Sequence, residues 1–238
     1  MNILRRVVGK CFHLFHTYAA NCFTPRGRVL MLHWIGDEKQ DGETEPFRLS
    51  IGQFSNFLKW LKNQNVIHLE EWEKSDNFFA LTIDDVPENF YVNAFPLLKE
   101  KEIPFTLFVN VSLLGKEGFI SNEQLVEMSR CPLCTIGSHG IHHGEYTLFD
   151  KKEAMNDLVS SKCELEKMID KPVELFAFPY GSYYACGYTN KHIAGEVYKY
   201  AFGTVACPIT KPSLLKQYFL PRINVDGKYI STLLKHKQ

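Results

Sequence analysis

An excess of charge of either sign is the first thing this 238-residue chain lacks: Lys and Arg count 27, Asp and Glu count 27, and the formal net charge is zero. Nucleic-acid-binding domains carry a basic excess or a basic stripe. Neither occurs beyond the first ten residues, so no RNA or DNA partner is expected. Long apolar runs are missing too. No stretch reaches the roughly 18 uninterrupted apolar residues of a membrane span, and the N-terminal run is broken by Gly9, Lys10, His13 and His16, which argues against a cleavable export signal. Cysteine is sparse and odd in number, seven scattered residues, unlike the dense, paired framework of a disulfide-held secreted domain. These absences point to a reducing, cytoplasmic setting. Low-complexity segments are also absent. The ordinary 45% hydrophobic content suits one folded domain.

The first 25 residues form the one unusual segment. Ile3, Leu4, Val7, Val8, Cys11, Phe12, Leu14, Phe15, Tyr18 and Phe23 recur at roughly helical spacing, with Arg5, Arg6, Lys10, His13 and His16 filling much of the remainder. Such a helix either packs on the domain or lies, as a basic amphipathic helix, on an anionic membrane surface. Residues 26–238 then form the main domain.

Beyond it, strand-like and helix-like segments alternate. Strands are expected at 28–33, 66–69, 78–83, 105–109, 135–138, 175–178, 201–206 and 219–225. Helices are expected after the capping boxes Ser50–Gln53, Ser121–Gln124 and Asp150–Glu153, after Pro87, and over 190–198. This alternation predicts an α/β fold with a parallel sheet. Three polar clusters directly follow strands: Asp84-Asp85, the histidines from His139 to His143, and Pro179-Tyr180-Gly181. Functional groups of parallel α/β folds gather at the carboxyl ends of strands, which favours one shared site.

Each cluster suggests chemistry. Adjacent carboxylates on an extended chain point apart, so Asp84 and Asp85 can divide the tasks of base and metal ligand. His139 and His143 are four apart and on a helical turn would share a face. Neutral imidazoles with a carboxylate suit zinc and other first-row divalent ions. His142 could also reach such an ion. Cys131 and Cys134 read as two buried thiols ending a helix, since the four-residue gap to His139 is short for a zinc knuckle.

In this order, the clusters resemble the NodB-type polysaccharide deacetylases, carbohydrate esterase family 4. Thr82-Ile-Asp-Asp-Val86 is similar to their TFDDG motif, Ser138-His-Gly-Ile-His-His143 to SH(T)xxHP, and Ala177-Phe-Pro-Tyr-Gly181 to RxPYG. The resemblance implies an irregular (β/α) barrel with a metal held by Asp85, His139 and His143. It implies that Asp84 is the general base and that the backbone N–H of Tyr180 holds the oxyanion. Val29-Leu-Met-Leu-His33 resembles the early histidine segment of permuted members, the poly-N-acetylglucosamine deacetylases, so His33 is expected to be the general acid in preference to His236. Val86 stands where the family has glycine, and Ala177 where many members have arginine. Arg222, from a later strand, is expected to take over that arginine's task of orienting the base.

The expected function is metal-dependent removal of an N-acetyl group from an amino sugar in a glycan or lipid-linked precursor. Zinc is the default ion, with nickel, cobalt or iron compatible. The setting expected for this work is the cytoplasm, peripheral at the inner membrane surface, in cell-envelope synthesis. A deformylase or esterase on another acylated sugar, and a degenerate metal-containing glycan-binding protein, are the alternatives.

Overall fold

Three helices begin where their capping boxes predict. Ser50, Ser121 and Asp150 each accept from the backbone N–H three residues on, and Gln53, Gln124 and Glu153 reach back to the cap. Each cap satisfies orphan N–H groups, a contribution of about 1 kcal/mol. The helices are α1 (Ile51–Leu61), α2 (Phe95–Glu100), α3 (Asn122–Ser129), α4 (Lys151–Ile169), α5 (Tyr183–Cys186), α6 (Tyr188–Val197) and α7 (Gly227–Lys235). The strands are β1 (Pro25–Leu32), β2 (Phe78–Asp84), β3 (Phe105–Val109), β4 (Cys134–Ser138), β5 (Leu175–Ala177), β6 (Tyr200–Phe202), β7 (Ile209–Thr210) and β8 (Ile223–Asn224). This computed structural model describes residues 25–38, 45–210 and 218–235, together with Val7, Lys10, Cys11, Leu14, Phe15 and Tyr18. Those six earlier positions are helical and exposed; the rest of the predicted N-terminal helix, and His236, lie outside the described residues.

The sheet runs β6-β5-β4-β3-β2-β1-β7, with β8 also on β1. All neighbours pair in parallel except β7, which is antiparallel to the start of β1. The segment after residue 218 curls this sheet into an irregular barrel. Leu220 N–H donates to Ala201 O, and Gly203 N–H donates to Leu220 O. Ile223 and Asn224 then pair with Leu30 and Met31 of β1. One short segment therefore touches both β6 and β1.

Strand alternation divides the core in two. Val29, Ala80, Phe108, Ala177 and Phe202 belong to one apolar cluster, and their chain neighbours Leu30, Leu81, Leu107, Phe176 and Ala201 to the other, which includes the helix residues Phe54, Leu58, Leu125 and Leu158. Period-2 alternation places these sets on opposite faces of the sheet. Each fully buried aliphatic or phenyl side chain contributes roughly 1.5–3 kcal/mol.

Three expected strands are shorter than predicted. Residues 66–69 make only the single bridge Val66↔Phe79 and then enter a 3-10 turn, Leu69–Lys74, that tucks Leu69 and Trp72 against Phe78 and Tyr200. The strand at 219–225 is reduced to Ile223–Asn224, because Pro221 has no N–H for a ladder. The strand at 201–206 stops at Phe202, where Gly203 and Thr204 turn to meet the Gly181 segment. The expected helical turn at His139–His143 is absent; Gly140 adopts a φ of +79°, which takes the chain out of the helical region.

Candidate active site

Every parallel strand ends at the same mouth of the barrel. There a cleft of about 210 Å³ is lined by Met31, His33, Phe47, Asp84, Asp85, His139, His143, Phe178, Tyr180, Thr204 and Asn224. Five residues expected from sequence (Asp84, Asp85, His139, His143 and Tyr180) thus share one wall with the sixth, His33. The seventh, Arg222, stands beneath it.

Asp84 ends β2 and is buried. Arg222, fully buried on the closing segment, grips it with a bidentate pair: Nη1 to Oδ1 at 2.6 Å and Nη2 to Oδ2 at 2.8 Å. The guanidinium also donates to Gly203 O and lies over the Phe108 ring, its Cζ 5.0 Å from the centroid. Burial works against the Asp84 charge, and the Arg222 charge and hydrogen bond oppose that effect. The carboxyl titrates at about 2, below its ordinary value, and is ionised at neutral pH.

The chain turns sharply after Asp84. Asp85 and Val86 both adopt left-handed backbone, φ +59° and +49°, and Val86 N–H donates back to Asp84 O at 2.7 Å. The two carboxylates are therefore separated by a turn rather than by strand alternation. Left-handed backbone is strained for a β-branched residue, which accounts physically for the glycine of the family motif.

Asp85, His139 and His143 offer one ligand atom each within 4.8 Å of one another. His139 Nε2 lies 3.9 Å from Asp85 Oδ1, and His143 Nε2 lies 3.8 Å from Asp85 Oδ2. His139 Nδ1 lies 2.7 Å from Ala177 O, so that nitrogen carries the proton and Nε2 presents a lone pair to the cluster. Burial, then the neighbouring His139, lower the basicity of His143 and keep it neutral. Asp85 Oδ1 is buried without a hydrogen-bond partner. An orphaned carboxylate oxygen facing two imidazole lone pairs fits a divalent cation.

The remaining residues frame this cluster. His33 follows β1, its ring stacked on Phe47 with centroids 5.5 Å apart. Burial lowers its pKa despite the opposing pull of Asp84 and Asp85. Tyr180 has a φ of +58°, and its ring meets His143 edge-on at 4.7 Å. Gly181 fits the turn because a Cβ there would stand 2.1 Å from Thr204 Oγ1. His142 is turned away from the cluster, its Nδ1 2.9 Å from Asp157. Cys131 and Cys134 stand half-buried after α3 and do not join the ligand cluster; burial raises the Cys134 thiol well above its ordinary pKa.

Sequence reasoning missed Met31, Phe47, Phe178, Thr204 and Asn224. Met31 and Asn224 had a readable signal: each lies two residues from an expected site residue, His33 and Arg222 respectively, hence on the same face of an extended segment.

A largely parallel barrel that gathers two carboxylates and two imidazoles at its carboxyl mouth defines the class first, that of the α/β barrels with a candidate metal centre. Residues 72–192 match the polysaccharide deacetylase family, and the chain belongs to that family. It is 29% identical over 215 residues to the poly-β-1,6-N-acetyl-D-glucosamine N-deacetylase of Staphylococcus aureus, covering 81% of this chain and 73% of that one. The same fold occurs in the Streptococcus pyogenes deacetylase PplD in complex with acetate (TM-score 0.78, 21% identity, 90% of this chain and 100% of that one). It occurs also in a polysaccharide deacetylase of Bacillus cereus (TM-score 0.77, 22% identity, 88% of this chain and 69% of that one). The irregular (β/α) barrel of the NodB type and the carbohydrate deacetylase class both hold.

Proposed function

We propose that this protein hydrolyses the N-acetyl group of an amino sugar within a glycan or a lipid-linked glycan precursor, using a divalent cation held by Asp85, His139 and His143. The observation that carries this reading is the closure of those three donors around an unpartnered carboxylate oxygen, beside the ionised Asp84. Its similarity to the staphylococcal enzyme, whose name specifies poly-β-1,6-N-acetyl-D-glucosamine, supports an N-acetylated substrate.

A bound cation supplies a nucleophile at neutral pH and polarises the acyl carbonyl. The chain's own residues do the rest. Asp84 accepts the proton of the attacking water, and Arg222 holds its carboxylate in one orientation for that purpose. The backbone N–H of Tyr180 donates to the developing oxyanion. His33 donates a proton to the departing amine. Its lowered pKa makes the protonated ring a stronger acid, while the nearby carboxylates favour its protonation. Zinc is the expected ion, and the same donor set accepts nickel, cobalt or iron.

The test is acetate release from N-acetylglucosamine oligomers by zinc-reconstituted protein, beside His139→Ala. Release that falls to background in the variant, together with loss of bound zinc, supports the reading. Retained zinc without acetate release, or release of formate or of acetate from O-acetyl sugars alone, overturns the substrate assignment.

The division of the chain belongs to the same proposal: residues 26–238 carry the catalysis, and 1–25 rest on an anionic membrane from the cytoplasmic side. Val7, Lys10 and Leu14 are helical and exposed, and the first acidic residue is Asp37. No described helix is long and apolar enough to cross a membrane. Co-sedimentation with phosphatidylglycerol vesicles, weakened several-fold by Lys10→Glu and by added salt, is expected; equal recovery with neutral vesicles would sink it.

A further inference from the structure

The ligand loop has an anchor that the chemistry above does not use. Asp157, on α4, is buried, and all four of its partners lie between residues 141 and 146. Its Oδ1 accepts from His142 N at 3.1 Å and lies 2.9 Å from His142 Nδ1. Its Oδ2 accepts from Ile141 N at 3.2 Å and from the Tyr146 hydroxyl at 2.6 Å. Successive N–H groups that converge on one anion form a nest, and Gly140 at φ +79° supplies the turn a nest requires. A Cβ at Gly140 would stand 2.7 Å from Asp157 Oδ2, so the absence of a side chain there is what admits the carboxylate. One turn further along α4, Ser161 pairs with Ser138, whose hydroxyl accepts from Gly140 N at 3.1 Å.

The two histidine ligands differ in how they are held. His139 is fixed from both ends, its N–H bonded to Val109 O and its Nδ1 to Ala177 O. His143 lies beyond the irregular loop, where neither helix nor strand carries it; its ring meets the His139 ring at a tilt and the Tyr180 ring edge-on, with Nε2 3.8 Å from Asp85 Oδ2. Its place therefore depends on the course of residues 140–142, whose backbone Asp157 gathers.

We propose that Asp157 is a positioning residue that holds the 139–143 loop in the conformation in which His143 reaches the same ion as Asp85 and His139. This rests on the metal reading of the cluster. A buried carboxylate whose hydrogen bonds, among the described residues, all go to the segment 141–146 is an arrangement for fixing that segment rather than for packing the core.

The test is the affinity of the full-length protein for zinc alone, by competition with a chromophoric chelator, alongside the melting temperature of the metal-free protein. Asp157→Asn is expected to weaken zinc about 10- to 100-fold. Gly140→Ala, which pushes the carboxylate off the loop without removing it, is expected to do the same. Cobalt loaded into Asp157→Asn is expected to give an altered visible spectrum. Zinc bound as tightly by both variants as by the wild type overturns the proposal, whatever their melting temperatures. Should these variants not fold, Tyr146→Phe removes a single donor and leaves the carboxylate in place; a several-fold loss supports the proposal and no change overturns it. Wild-type protein that binds no zinc removes the site reading and this proposal together, whereas zinc lost in His139→Ala but held as tightly as in the wild type by Asp157→Asn and Gly140→Ala removes this proposal alone.

Discussion

Asp84→Asn is expected to lower turnover on an N-acetylated sugar by roughly 10²–10⁴, the range that a general base contributes, while zinc remains bound. The carboxylate is ionised at any pH above about 2, so in the native protein the base form is fully present at neutral pH and the acid limb of the activity profile is set by other groups. Asparagine is nearly isosteric and preserves one oxygen, but it can no longer take a proton. It also leaves the Arg222 guanidinium buried without its counter-charge. Loss of turnover through partial unfolding must therefore be separated from loss of the base. The double variant Asp84→Asn/Arg222→Met removes the stranded charge; it is expected to recover much of the melting temperature and none of the turnover. Acetate release that returned with stability in the double variant would show that Asp84 is structural and that the base is elsewhere.

Much of this site was legible in the sequence because it is built at strand ends. A run such as Phe78–Asp84 announces a buried strand by its apolar content, and the first polar residue after it has to emerge at the sheet's edge. The capping boxes were legible for a similar reason, since they are local hydrogen-bond patterns within four residues. Three features were not. Left-handed backbone at Asp85 and the buried Val86 is one, since nothing in an aspartate–valine pair signals it. The His139–His143 spacing suggested a helical turn, yet the loop is shaped by Asp157, 18 positions beyond His139, whose polar side chain in an amphipathic helix reads as a solvated one. The 219–225 segment looked like one strand, whereas Pro221 splits its pairing between β6 and β1 and so leaves Arg222 pointing at Asp84.

Arg222→Met is expected to destabilise the metal-free protein by about 3–5 kcal/mol at pH 7, because it leaves Asp84 as a buried, uncompensated carboxylate. The pH dependence identifies the cause. In the native protein the Asp84 pKa is depressed to about 2. Its contribution is therefore fully present above the ordinary carboxylate value near 4 and is lost as pH falls through 4 toward 2. Without Arg222, burial, which raises the pKa, is no longer offset by its largest opponent. The folded value is then expected to lie above the unfolded one, and the sign reverses: the variant's stability is greatest below pH 4 and declines as pH rises toward neutrality. The gap between native and variant should accordingly be widest near pH 7 and narrow steadily as the pH is lowered to 3. Urea unfolding of both proteins, with chelator present throughout so that metal release does not enter, measures this gap directly. A gap that stays constant from pH 7 to pH 3 would mean that the arginine acts through its packing over Phe108 and its bond to Gly203. The orientation of Asp84 would then need another source.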